Sequence, residues 1–247
     1  MNAVRPPEEF WVLVGAREEG LLPTSFLFEL LQRAAAEHAD ALGVGGESLR
    51  RDGLAWILLQ WSLEIASWPE ARETVRIETW PSGYTDRIVR RDFFVLSAGG
   101  ERLGRATSHW AMLDLSRRRP VRMPEAVRRL AITSRNGALD APLAKLPAPD
   151  PPVLAATLTV GPGHLDANGH VDNVRYVEWI LASLPPGPRS RPLAALDVSF
   201  RAECREGETV AISCGPAPAG APGLALFRHR IATGDRELAV ARTAVRR

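Results

Sequence analysis

The sequence predicts an α+β chain made of two copies of one unit, each a long amphipathic helix followed by the strands of an antiparallel sheet. Three observations carry that expectation. Apolar residues recur at helical spacing in two separate stretches, β-branched and aromatic runs broken by Gly, Pro and Asp follow each of them, and the two halves match in register.

The first helix is read in "LLPTSFLFELLQRAAAEHADALGV", where Phe26, Leu27, Leu30, Leu31, Ala34 and Ala41 share one face. Thr24 or Ser25 is the expected N-cap and Gly43 the stop. Strands follow at "AWILLQWSLEIASW", "ETVRIETW" and "IVRRDFFVLSAGGERLGRATSHWAML", with a polar close at "RRRPVRMP". The second copy repeats the order: a helix from Asn173 to Leu184, a Pro-rich break, then strands at "LAALDVSFRAEC", "ETVAISC" and "LALFRHRIATGDRELAVARTAV". Set side by side, Glu73, Thr74 and Val75 fall on Glu208, Thr209 and Val210, and the hairpins "SAGGERLGRAT" and "IATGDRELAVART" correspond with one inserted residue. Residues 1–130 are therefore read as one domain, the Pro- and Ala-rich 131–152 as a linker, and 153–247 as the second domain.

Composition excludes several classes. With 247 residues, 45% of them hydrophobic, the chain can bury a full core. The net charge of +2 rests almost wholly on arginine, Lys145 being the only lysine; that fits a base composition bias as well as a binding surface, so no nucleic-acid partner is read from it. Cys204 and Cys214 are too few for a disulfide framework or a zinc cluster, and a reducing, cytoplasmic setting is expected. The start "MNAVRPPEEF" has no basic segment leading into an apolar one, no apolar run reaches membrane-spanning length, and no Gly-rich phosphate loop or metal-ligand spacing occurs. No cofactor or metal is expected.

The chemistry concentrates in "HLDANGHVDNVRYVEWIL", which sets Asp166, Asn168, His170, Asp172 and Asn173 at the mouth of the second helix. Asx side chains favour turns and caps, so a scaffold role competes with a chemical one. The repeat serves as an internal control. With Tyr176 aligned to Phe28, the first copy has Gly20 where the second has Asn168 and Leu22 where it has His170. Trp68 and Pro69 stand where the second copy has Glu203 and Cys204. The polar cluster belongs to the second copy alone, which weakens the pure-scaffold reading.

"LDANGHVDNVRYVEW" resembles the signature of the acyl-ACP thioesterases, DxNxHVNNxxYxxW, through Asp166, Asn168, His170, Val171, Asn173, Tyr176 and Trp179. "FRAECREGETV" is similar to the family's later YRRECxxxxxV segment, and "ELLQRAAAEHADALG", "IETWPSG", "SHWAMLD" and "RRRPVRMP" follow the family's order across nearly the whole chain. Asp172 departs from the usual Asn. The resemblance implies two tandem hotdog domains, each an antiparallel sheet wrapped around a central helix, with the first forming the acyl pocket and the second carrying the catalytic residues. It also implies hydrolysis of fatty acyl-ACP with acyl carrier protein as partner. With no transit segment at its start, the chain is expected to be bacterial. Assembly is left open, a homodimer included.

What the resemblance implies for the site is a constellation of Asp166, Asn168, His170 and Glu203. Glu203 activates the water, His170 and Asn168 hold the water or the thioester, and Asp166 fixes their geometry. The helix mouth at Val171, Asp172 and Asn173 is expected to supply oxyanion donors. A competing mechanism makes Cys204 a nucleophile. Strand alternation sets Cys204 with Leu196, Val198, Phe200 and Ala202 on the apolar face and Glu203 on the polar one, which favours Glu203. Trp56, Trp61, Trp80 and Trp110 are candidates for the acyl pocket. Arg87, Arg90 and Arg91, or Arg117, Arg118, Arg119 and Arg122, are candidates for docking an acidic carrier. An acyl-CoA hydrolase of the same fold and a non-hydrolytic acyl-binding protein are the alternatives.

Overall fold

The computed structural model describes residues 8–13, 23–69, 73–130, 136–218 and 221–247, the first of these stretches by its backbone alone. Two compact units emerge, one taking in residues 27–143 and the other 144–247.

The first unit runs β1 (Glu8–Leu13), α1 (Thr24–Ala41), α2 (Gly46–Arg51), β2 (Leu54–Ile65), β3 (Thr74–Tyr84), β4 (Ile88–Ser97), β5 (Arg102–Asp114), β6 (Arg119–Val121) and α3 (Glu125–Leu130). Its strands pair antiparallel in the order β1-β3-β4-β5-β2, with β6 alongside β5. The second runs β7 (Val153–Thr159), a short 3-10 turn (Pro162–His164), α4 (Asn173–Ala182), α5 (Pro186–Arg189), β8 (Leu193–Phe200), β9 (Thr209–Pro216), β10 (Leu224–Thr233) and β11 (Arg236–Arg246). Its strands also pair antiparallel, in the order β7-β9-β10-β11-β8. Matching each strand to its counterpart gives the same order twice, so the register match in the sequence is a repeat of topology. Each unit is a hotdog.

In the first unit, α1 buries Leu27, Phe28, Leu30, Leu31 and Ala34 against the sheet, where Phe28 lies 4.7 Å from Trp61 and Trp61 5.0 Å from Phe93, ring centre to ring centre. Ala41, expected on that face, is exposed in the last turn of the helix. Gly43 adopts φ 75°, and the Gly43 and Val44 N–H groups turn back to the carbonyls of Asp40 and Ala39 at 2.9 Å each. This left-handed stop suits glycine. The expected caps are corrected: Pro23 holds the N-cap position with no side-chain bond, and Thr24 and Ser25 lie inside the helix. A proline fixes the entry there without needing a donor.

In the second unit, Asp172 caps α4, its Oδ1 accepting from the Val174 N–H at 2.8 Å. Tyr176, Val177, Trp179 and Ile180 form the buried face. Tyr176 meets Phe200 edge-on at 5.7 Å and Trp179 at 5.4 Å. The helices α2, α3 and α5 and the strands β1, β6 and β7 escaped the sequence reading. Strand β7 is exposed along nearly its whole length, so it lacks the alternation that betrays a half-buried strand.

The segment read as a linker divides between the units. The Ala138 N–H donates to the Asp92 carboxylate at 2.7 Å, and the Pro142 carbonyl accepts from Gln60 at 3.5 Å. Asp92 is fully buried and also takes bonds from Arg90, Thr107 and Ser82. A buried carboxylate with that many donors is satisfied where it stands, and it ties residues 138–142 to the first sheet.

Candidate active site

The sequence "HLDANGH" folds into a tight turn just ahead of α4. The Asp166 carboxylate accepts from the Asn168 N–H at 2.8 Å, the Asn168 side-chain amide at 3.2 Å and the His170 N–H at 3.1 Å. An aspartate reaching forward to the backbone two residues on is the Asx turn its chemistry favours. Gly169 takes φ 75° to complete it. A second clasp pairs Leu165 with Val171, the Asp166 N–H donating to the His170 carbonyl at 2.7 Å. His170 is thereby held at both sides of its backbone, and its ring sits one quarter exposed.

Its partner comes from the loop after β8. Glu203 Oε2 lies 3.4 Å from His170 Nε2, with the glutamate side chain 40% exposed. The Val171 N–H donates to the Cys204 carbonyl at 2.9 Å, which fastens the loop to the turn. Arg236, at the start of β11, donates to the Glu203 carbonyl at 3.1 Å and grips the Glu208 carboxylate with its other nitrogen. Glu208 also accepts from the Arg205 N–H at 2.7 Å. Burial alone would raise the Glu208 carboxyl, but the Arg205 N–H and the Arg236 guanidinium outweigh it and hold Glu208 below the ordinary carboxylate range.

Two expectations about this region are corrected. Strand β8 ends at Phe200, so strand alternation does not reach Glu203 and Cys204; the loop itself turns one outward and the other inward. Cys204 is fully buried, and burial, with Glu208 beside it, pushes its thiol up to about 11. A thiolate is the nucleophilic form, and it is disfavoured here. Two of the helix-mouth donors are also spent, the Val171 N–H on the Cys204 carbonyl and the Asp172 N–H on the His164 carbonyl at 3.0 Å, while the Asp172 carboxylate accepts the Val174 N–H as the cap of α4. The backbone N–H groups of Val171 and Asp172 therefore do not serve as oxyanion donors. Arg205, Glu208 and Arg236 were missed in the sequence, where nothing distinguishes them from other surface charges.

The first unit holds an apolar cavity of about 220 Å³, lined by Ala35, Ala39, Val44, Val89, Trp56 and Trp110 among others. Trp56 and Trp110 thus face it as expected. Trp61 is stacked between Phe28 and Phe93, and Trp80 packs edge-on to Phe94 at 5.0 Å, so neither lines it. Two polar side chains intrude, Gln32 and Arg91, and Arg91 is buried, donating to His38 Nδ1 at 2.9 Å and to Thr79 at 3.1 Å. Arg91 and the Asp92-bound Arg90 are therefore not surface charges for docking, whereas Arg117, Arg118, Arg119 and Arg122 are exposed. Among the described residues no helix is long and apolar enough to cross a membrane, and no group of three His, Cys, Asp or Glu is placed to hold a metal ion.

Comparison with known proteins finds two family models on the chain. The acyl-ACP thioesterase N-terminal domain matches residues 19–130, and the acyl-ACP thioesterase C-terminal domain matches residues 155–246. The chain is 30% identical to oleoyl-acyl carrier protein thioesterase 2 of Arabidopsis thaliana over 80% of its own length and 58% of the relative's. To the palmitoyl-acyl carrier protein thioesterase of Gossypium hirsutum it is 32% identical, over 77% of itself and 49% of the relative. It thus spans about half the length of these curated relatives. Among solved structures, a putative oleoyl thioesterase from Lactobacillus plantarum superposes with a TM-score of 0.84 at 24% identity, covering 96% of this chain and 95% of the other. The 12:0-ACP thioesterase of Umbellularia californica gives 0.84 at 23%, covering 97% and 93%.

Proposed function

The chain belongs to the acyl-ACP thioesterase family, and on that premise we propose that it hydrolyses the thioester of fatty acyl-ACP to a free fatty acid and the carrier. The observation that carries this reading is the 3.4 Å approach of Glu203 to His170, on a turn organised by Asp166. Glu203 takes a proton from a water as that water attacks the thioester carbonyl. The carbon–sulfur bond breaks as the tetrahedral intermediate collapses, and the thiolate of the carrier's arm leaves. His170 and Asn168 hold the water or the carbonyl oxygen, and Asp166 holds them. The cavity bounded by Trp56 and Trp110 receives the acyl chain: apolar lining with few polar groups suits an alkyl ligand. Two buried cysteines free of any disulfide support a reducing, cytoplasmic setting.

The test is turnover of acyl-ACP against acyl-CoA at one chain length. Preferential release from ACP is the expected result. Equal or faster release from CoA overturns the carrier assignment, and binding of acyl-ACP with turnover of neither overturns hydrolysis.

A further inference from the structure

We propose that Arg205 is a positioning residue that fixes the tautomer of His170 and so allows an anionic Glu203 to stand against it. Arg205 Nη2 lies 3.3 Å from His170 Nε2 and 3.9 Å from Glu203 Oε2. A guanidinium is all donors and stays charged, so this contact is a hydrogen bond only if Nε2 offers its lone pair. The imidazole proton then sits on Nδ1. Glu203 Oε2 meets that same Nε2 at 3.4 Å, which brings a lone pair and a carboxylate face to face. The Arg205 cation, bonded to Nε2 and 3.9 Å from the carboxylate, offsets the repulsion of that contact. Without it, the favourable arrangement is the other tautomer, with Nε2–H donating to Glu203.

The choice matters to the hydrolytic reading, on which the catalytic half of this inference rests. With Arg205 in place the ring proton sits on Nδ1 and can serve the water or the carbonyl oxygen; without Arg205 the proton moves to Nε2 and is spent on Glu203. The loop is built to deliver the guanidinium. The Arg205 N–H is fixed by Glu208, Glu208 by Arg236, and Arg236 also holds the Glu203 carbonyl. Asp166, on the same turn as His170, has its carboxylate committed to that turn. The Arg205 side chain itself is 59% exposed, so its removal leaves the core untouched.

The experiment is imidazole nitrogen NMR on the full chain, with His170 identified by a His170→Gln spectrum and recorded well above the ordinary histidine titration range. Wild type is expected to show His170 as the Nδ1–H tautomer and Arg205→Ala as Nε2–H, with equal melting temperatures. On acyl-ACP, Arg205→Ala is expected to lose kcat on the order of tenfold while KM stays within about twofold. An Nε2–H wild type, or an unchanged tautomer in Arg205→Ala, overturns the proposal. A tautomer switch with unchanged kcat overturns the positioning role. Should wild type hydrolyse no acyl-ACP while the switch is seen, the tautomer assignment stands and the hydrolase reading falls.

Discussion

Glu203 Oε2 stands 3.4 Å from His170 Nε2, although one residue belongs to a loop after β8 and the other to a turn before α4. The pairing sets the first prediction. Glu203→Gln keeps the shape but cannot take a proton, so kcat should fall on the order of a hundredfold or more, with folding intact because the side chain is 40% exposed. Cys204→Ser should stay within about tenfold, since a buried thiol held near 11 contributes little thiolate at neutral pH. Steady-state rates on acyl-ACP, beside thermal melts, decide it. A dead Cys204→Ser beside an active Glu203→Gln would establish a nucleophilic mechanism instead.

Asp172 departs from the family's usual Asn, and its carboxylate is occupied as the α4 cap. Asn caps a helix as well as Asp does. Asp172→Asn should therefore leave the melting temperature unchanged and turnover within a few-fold, while Asp172→Ala should cost about 1 kcal/mol of stability. Denaturant unfolding and turnover of the two variants check this. A hundredfold loss in Asp172→Asn with a normal melt would reveal a chemical role for the carboxylate.

Ala39 contributes to the wall of the first-unit cavity. Ala39→Leu fills part of it, and each methylene kept out of an apolar pocket forfeits ~0.8 kcal/mol. For an acyl chain two carbons too long to fit, kcat/KM should fall on the order of tenfold, while shorter chains are turned over as before. Measuring a chain-length series on wild type and variant tests the assignment. An unchanged profile would show that the acyl chain lies elsewhere.

How much of this was legible in the sequence follows from what each feature depends on. The helices and the central strands announce themselves because burial imposes a period, and the Glu73/Glu208 match exposed the repeat. Strand β7, with Val153 and Leu154 60% and 63% exposed, carries no such imprint. Asp166, Asn168 and His170 were readable because they are local to one turn. Arg205, Glu208 and Arg236 were not, because their meaning arises only when the loop after β8 folds back on the start of β11. The parity argument for Glu203 and Cys204 failed in its premise, since the strand stops three residues short of Glu203.

His229 carries the last prediction, on stability. It is fully buried. Ser183 spends its hydroxyl proton on the Ile180 carbonyl at 2.7 Å, so it accepts from His229 Nδ1 at 2.9 Å, and His229 Nε2 accepts from Thr243 at 2.9 Å. The ring is neutral, and burial lowers its pKa from 6.5 to about 3. His109 is lowered to about 4 by burial and by Arg90, against the opposing pull of Asp92. Between those values and 6.5 the unfolded chain binds protons that the fold refuses. Stability is therefore full above about pH 6.5 and falls as pH drops toward 4, by up to ~1.4 kcal/mol per pH unit for each histidine. His229→Gln should cost about 1–2 kcal/mol near neutrality through its disturbed buried hydrogen bonds, yet it removes one source of the acid loss. The gap between wild type and variant should narrow as pH falls, read by urea unfolding between about pH 4 and 8. Parallel stability curves would mean that His229 takes up its proton at the same pH folded and unfolded, which would overturn the neutral, buried Ser183–His229–Thr243 arrangement.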